Sequence, residues 1–88
     1  MVRYNYTMWF VYIVRCADNS LYTGITTDVA RRLREHNGET KNGARYTKMK
    51  RPVIMVYMET KKTRSSALKR EYAIKTLSHT EKNRLIAD

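Results

Sequence analysis

The fold is decided by residues 9–26, which read WFVYIVRCADNSLYTGIT. Residues 9–15 are rich in aromatic and β-branched side chains, and apolar residues occupy both alternating faces, as in a strand that is covered on both sides. Asp18, Asn19 and Ser20 supply turn chemistry, after which residues 21–26 resume a strand pattern. The stretch therefore predicts a β-hairpin whose first strand is central in its sheet.

A helix is predicted directly after the hairpin. Asp28 can cap its start, and we expect it to run to about Asn37. Gly38 can then end it in the left-handed conformation.

One strand and two helices are predicted for the second half of the chain. Pro52 opens a strand over residues 53–59, and Thr63 or Ser65 can cap a long helix that reaches about residue 77. Residues 78–81, Ser-His-Thr-Glu, have the spacing of a capping box for a short final helix. The predicted fold is α+β, with a three-stranded antiparallel sheet flanked by helices in the order β-β-α-β-α-α.

Length and charge limit the function classes. The 88 residues have room for one domain, which we place at residues 9–86 after a loose extension at residues 1–8. The net charge of +10 predicts attraction to a polyanion, with nucleic acid as the leading candidate. Residues 38–51 are polar and basic and are interpreted as a surface loop. Its candidate nucleic-acid-binding residues are Lys41, Arg45, Tyr46, Lys48, Lys50 and Arg51.

Cysteine and histidine usage excludes further classes. The single cysteine, Cys16, cannot form an internal disulfide, and two histidines beside it cannot complete a Cys/His zinc site. The longest apolar run, residues 8–14, is far shorter than the ~20 residues of a membrane span, and no signal peptide pattern precedes it. We therefore expect a cytoplasmic protein without membrane contact.

Arg32 and His36 lie beside the apolar stripe of the first predicted helix. They share a face with Val29 and Leu33, whereas Glu35 is expected to point the other way. A charge at the edge of a core needs a carboxylate, a phosphate or access to water. Two explanations stay open: Arg32 reaches solvent and His36 is structural, or the two carry chemistry.

Glu71 raises the same question on the long helix, because Ala67 and Ile74 share its face. An ion pair with Lys75 would explain it structurally. Alternatively, Glu71 is a ligand for Mg²⁺, which often needs only one or two protein carboxylates beside substrate phosphate.

The tyrosines divide into two groups. Tyr57 and Tyr72 are interpreted as core or interface aromatics. Tyr12 and Tyr22 lie on paired strands that can bring both phenols to one sheet surface, where a phenol can pass on a proton or bind a phosphate. Gly24 marks a place of close approach on the second strand.

Taken in order, these motifs resemble the GIY-YIG nuclease domain, and in particular the small stand-alone bacterial proteins of the UPF0213 or YhbQ-like group. The resemblance runs from about residue 9 to residue 77. The motifs that carry it are Val11-Tyr12, Tyr22-Thr23-Gly24, Arg32, His36 and Glu71. Phe10-Val11 stands where the family name has glycine and isoleucine.

The resemblance implies hydrolysis of DNA phosphodiester bonds and a role for each catalytic residue. Tyr12 would be the general base or water-positioning group, and Tyr22 the tyrosine of the second motif. Arg32 would stabilise charge on the scissile phosphate, and His36 would assist proton transfer. Glu71 would hold a single Mg²⁺ or Mn²⁺ ion.

Three function hypotheses follow. The first is a metal-dependent DNA endonuclease or nickase, for example in DNA repair or processing. The second is a nucleic-acid-binding module with the same fold and little or no turnover. The third is a protein-interaction domain whose charge is a solvated surface. RNA stays open as a partner, and so does the oligomeric state, a monomer included.

Overall fold

The central strand of the sheet is the one that the sequence predicts. The computed structural model describes residues 7–39 and 45–88, without the side chain of Arg45. The strands are β1 (Trp9–Arg15), β2 (Leu21–Thr26) and β3 (Ile54–Lys61), and the helices are α1 (Val29–His36), α2 (Arg45–Lys48), α3 (Arg64–Lys75) and α4 (His79–Ala87). The strands form one antiparallel sheet in the order β2-β1-β3, so the predicted α+β class is confirmed.

The sheet carries a hydrophobic cluster on each face of β1. Val11 and Ile13 pack with Ala67 and Ile74 of α3 in the first cluster. The second is built on Tyr12 and Val14 with Cys16 and Val53. Full burial of one such side chain contributes about 1.5–3 kcal/mol. Successive side chains of β1 point to opposite faces of the sheet, and a hydrophobic cluster covers each face. Both faces of the strand therefore carry apolar residues.

The predicted helix caps are present. Asp28 accepts a hydrogen bond from the backbone N–H of Arg31 at the start of α1. Of the two candidates for α3, Thr63 is the cap. Ser78 and Glu81 form the complete capping box of α4, and Gly38 follows α1 with a φ of 87°.

The second half of the chain departs from the predictions in three places. The segment interpreted as a loop contains α2, a single turn of helix. β3 begins one residue later and ends two residues later than residues 53–59. Tyr72 is 72% exposed, so it is not a core residue, and its alternative interpretation as an interface residue stays a prediction.

No helix in the described part of the chain is long and apolar enough to cross a membrane. The proposed division into an extension and a domain at residue 9 stays a prediction.

Candidate active site

The hydroxyl of Tyr12 is the centre of the candidate site. β1 holds this side chain almost completely buried, and its cross-strand neighbour on β2 is Gly24. The Tyr12 Oη lies 2.7 Å from Nε2 of His36 and 3.4 Å from Nε of Arg32. A Cβ at Gly24 would lie 2.5 Å from that Oη, so the phenol fits here because position 24 has no side chain.

His36 is the last residue of α1 and is completely buried. Its Nδ1 lies 2.9 Å from the Oγ1 of Thr47, which is buried on α2. Arg51 Nε donates a hydrogen bond of 2.7 Å to the carbonyl oxygen of His36. The end of α1 is therefore fixed from two sides by the segment that follows it.

Tyr12 and His36 are both neutral near pH 7. Burial raises the pKa of Tyr12 to about 12, against the opposing hydrogen bond and charge of Arg32. Burial also lowers the pKa of His36 to about 4, and the charge of Arg32 lowers it further. A neutral phenol in contact with a neutral imidazole can donate a hydrogen bond to that ring or accept one from it.

Arg32 is held by the carboxylate of Glu35, which the helical projection of the sequence assigns to the wrong side of α1. Its Nη1 donates to Oε1 of Glu35 at 3.0 Å, and Glu35 is buried rather than directed away from the site. Arg31 lies 3.9 Å from the other carboxylate oxygen. The expectation for Glu35 was wrong because the ion pair turns its side chain back along α1 toward Arg32. The carboxylate is the partner that a charge at the edge of the core requires.

The second phenol lies beside the first, as the sequence predicts. The ring centroids of Tyr12 and Tyr22 are 6.5 Å apart, and that of Tyr22 is 5.1 Å from the imidazole of His36. Tyr46 of α2 stacks on Tyr22 with centroids 5.7 Å apart. The ammonium of Lys50 lies 4.1 Å from the Tyr46 centroid.

The candidate binding residues of the basic segment have mixed positions. Lys41 and the Arg45 side chain lie outside the described residues, and Lys48 is exposed. Lys50 pairs with Asp18 at 3.2 Å, and Arg51 contacts the backbone of α1. Their contact with nucleic acid stays a prediction.

Glu71 extends from α3 with its side chain 19% exposed. Its Oε2 lies 3.6 Å from the Lys75 ammonium, so the predicted ion pair exists. The negative charge of Glu71 also contributes to the raised pKa of Tyr12, so the carboxylate acts on the centre of the site. The described residues contain no group of three acidic, histidine or cysteine side chains that could hold a metal ion. One carboxylate with water and phosphate oxygens suits Mg²⁺ or Mn²⁺, so the donor set fits one such ion at Glu71.

Sequence reasoning missed the contacts that three residues make in this arrangement. The ion pair of Glu35 could have been predicted, because a carboxylate three residues after Arg32 on a helix can pair with the guanidinium. The contacts of Thr47 and Arg51 with His36 could not have been predicted, because they exist only in the folded chain.

Comparison with known proteins shows the family of the chain. The model of the GIY-YIG catalytic domain matches residues 8–84. A UPF0213 protein of Desulfotalea psychrophila is 64% identical over 78 residues, which cover 89% of this chain and 70% of that protein. A UPF0213 protein of Staphylococcus aureus is 54% identical over 79 residues, covering 90% and 94% of the two chains. The solution NMR structure of a UPF0213 protein from Bacillus halodurans superposes with a TM-score of 0.58 at 38% identity, covering 91% and 83%.

The chain therefore belongs to the GIY-YIG nuclease superfamily and, within it, to the UPF0213 group. Membership of this nuclease superfamily implies nucleic acid as the substrate class.

Proposed function

We propose that this protein is a divalent-metal-dependent endonuclease that hydrolyses DNA phosphodiester bonds, with Tyr12, Tyr22, Arg32, His36 and Glu71 as its catalytic residues. The observation that carries the proposal is the position of the Tyr12 hydroxyl. It lies within hydrogen-bond distance of a neutral imidazole and of a guanidinium, and it responds to the charge of Glu71. A proton acceptor, a cation for phosphate and a metal-binding carboxylate are the groups that phosphodiester hydrolysis needs.

Tyr12 and His36 act together on the attacking water. With a pKa of about 12, Tyr12 is too rarely a phenolate at pH 7 to act alone as a base. As the water oxygen forms its bond to phosphorus and the bond from phosphorus to the leaving sugar oxygen breaks, the water proton moves to Tyr12 Oη, and the Tyr12 proton moves to His36 Nε2. Positioned acid–base groups of this kind contribute about 10²- to 10⁴-fold in rate.

Arg32 stabilises the phosphate. Its side chain is 22% exposed, so the guanidinium is accessible from solvent while Glu35 fixes its direction. A cation held in place before the reaction stabilises developing negative charge without reorganising at that moment. Tyr22 lines the same surface and can donate a hydrogen bond to a phosphate oxygen.

Glu71 is the residue that would hold the Mg²⁺ or Mn²⁺ ion. When bound, the ion would polarise the phosphate and stabilise the leaving oxygen. The Lys75 ammonium lies 3.6 Å from this carboxylate.

Nicking of supercoiled plasmid in Mg²⁺, Mn²⁺ or EDTA tests the proposal, with branched and damaged DNA as further substrates for a role in repair. Glu71→Gln and Arg32→Gln remove one charge each at nearly constant size. Glu39→Gln and Arg34→Gln are matched controls, because both residues are exposed and outside the site.

We expect metal-dependent nicking by the wild type and both controls, and its loss by at least about 100-fold in the two site variants. If the wild type binds these DNA molecules but cuts none of them in either metal, the binding-module hypothesis replaces the nuclease.

A further inference from the structure

Thr47 of α2 is a buried threonine whose hydroxyl contacts the imidazole of the site. We propose that Thr47 is a positioning residue: it holds His36 in the tautomer that is protonated at Nδ1, so that Nε2 is free to receive the Tyr12 proton. The proposal rests on the nuclease function above and adds a residue that the catalytic set does not contain.

The tautomer follows from the partners of the Tyr12 hydroxyl. Over residues 7–39 and 45–88, its hydrogen-bond partners are His36 Nε2 and Arg32 Nε. Arginine can only donate, so the phenol accepts from Arg32, and of these two partners only Nε2 can accept the phenol's own O–H. An imidazole that accepts at Nε2 and is neutral carries its proton at Nδ1.

Thr47 completes this assignment because its Oγ1 is the atom 2.9 Å from Nδ1. The oxygen accepts the Nδ1–H of the neutral ring, and it still accepts that hydrogen when Nε2 takes a second proton. The charged groups around the ring have opposing effects on the doubly protonated imidazolium. Arg32 and Arg51 disfavour it and Glu35 favours it, while the rings of Tyr12 and Tyr22 face the imidazole from β1 and β2.

The short helix is anchored well enough to position one hydroxyl. The Lys50 N–H donates to the carbonyl oxygen of Thr47 at 3.0 Å. The Lys50 carbonyl accepts from Ala17 N–H at 2.9 Å, which ties the segment to the hairpin. Thr47 is thereby fixed relative to the strand that carries Tyr12.

The tautomer is measured directly by long-range ¹H–¹⁵N NMR on the uniformly ¹⁵N-labelled full chain at pH 7. The chain has two histidines, and the exposed His79 supplies the second set of signals. In the wild type we expect His36 to show a protonated, pyrrole-type Nδ1 and an unprotonated, pyridine-type Nε2. Thr47→Val should move the population toward Nε2–H, whereas Thr47→Ser keeps the oxygen and should retain the wild-type pattern.

Kinetics of plasmid nicking provide the second measurement. We expect Thr47→Val to lower kcat by about 10- to 100-fold with little change in KM, because it weakens acid–base catalysis rather than binding. Thr47→Ser should stay within about threefold of the wild type.

A wild-type His36 protonated at Nε2 would overturn the proposal, and so would an unchanged tautomer in Thr47→Val. The NMR result stands whether or not the chain cuts DNA, so failure of the nuclease function and failure of the Thr47 assignment remain distinguishable. If Thr47→Val does not fold, the wild-type and Thr47→Ser spectra still decide the tautomer.

Discussion

Gly24→Ala adds a single methyl group opposite the phenol of Tyr12. The new Cβ would lie 2.5 Å from Oη and 2.7 Å from Cζ, whereas ordinary contact begins at 3.4 Å. The backbone itself does not oppose the change, because the φ of Gly24 is not positive. The phenol must therefore move by about 0.9 Å, and a move of that size away from His36 would stretch their 2.7 Å contact beyond the hydrogen-bond limit of about 3.5 Å.

Two consequences are expected. Overpacking in a well-filled core costs about 1–3 kcal/mol in the free energy of unfolding. Replacing glycine by alanine at an unobstructed strand position instead gains about 0.5–1 kcal/mol. The sign of the change in stability is therefore diagnostic, and nicking should fall by at least about tenfold as the Tyr12–His36 contact is lost.

Urea unfolding of a double-mutant cycle tests this reasoning. Tyr12→Leu removes the atoms that the new methyl group would meet, so Gly24→Ala should cost less in that background, or become stabilising. An equal cost in both backgrounds, or a Gly24→Ala protein as stable and active as the wild type, would refute the steric argument.

Two further predictions concern stability. Since burial lowers the pKa of His36 to about 4, the unfolded chain binds an extra proton between that pH and 6.5. Stability present above pH 6.5 is therefore lost on acidification toward pH 4, by about 3 kcal/mol, and urea unfolding of His36→Gln should show that much less pH dependence. Asn37 accepts from the buried Val53 N–H at 2.7 Å and donates to its carbonyl at 3.0 Å. Asn37→Ala should lower the unfolding free energy by about 2–4 kcal/mol, because it leaves the Val53 N–H and carbonyl without these partners; urea unfolding that shows a loss below about 1 kcal/mol would contradict this assignment.

The elements that the sequence predicts correctly are those with local causes. The hairpin follows from alternation and turn residues, and the starts of α1 and α4 follow from capping by Asp28 and Ser78. α2 could not be predicted, because one polar turn of helix has no periodicity of its own and exists through contacts such as that of Thr47 with His36.

In the candidate site, too, the sequence predicts the features that have local causes and misses those that depend on contacts in the folded chain. The positions of Tyr12, Arg32 and His36 beside one another follow from strand pairing and helical spacing, which the sequence carries. The burial of Glu35 does not, because a helical projection assigns a direction to the Cα–Cβ bond and not to a carboxylate two bonds further on. Their catalytic roles remain predictions.

The packing of β1 has a consequence for how the proposed nuclease would lose activity. Val11 and Ile13 belong to one hydrophobic cluster and Tyr12 and Val14 to the other, so β1 contributes side chains to both. Neither cluster can open without releasing the strand that carries Tyr12, and the amide hydrogens of these four residues should exchange with solvent only through global opening. If the chain is the nuclease proposed above, heat cannot unfold this sheet without abolishing cutting as well.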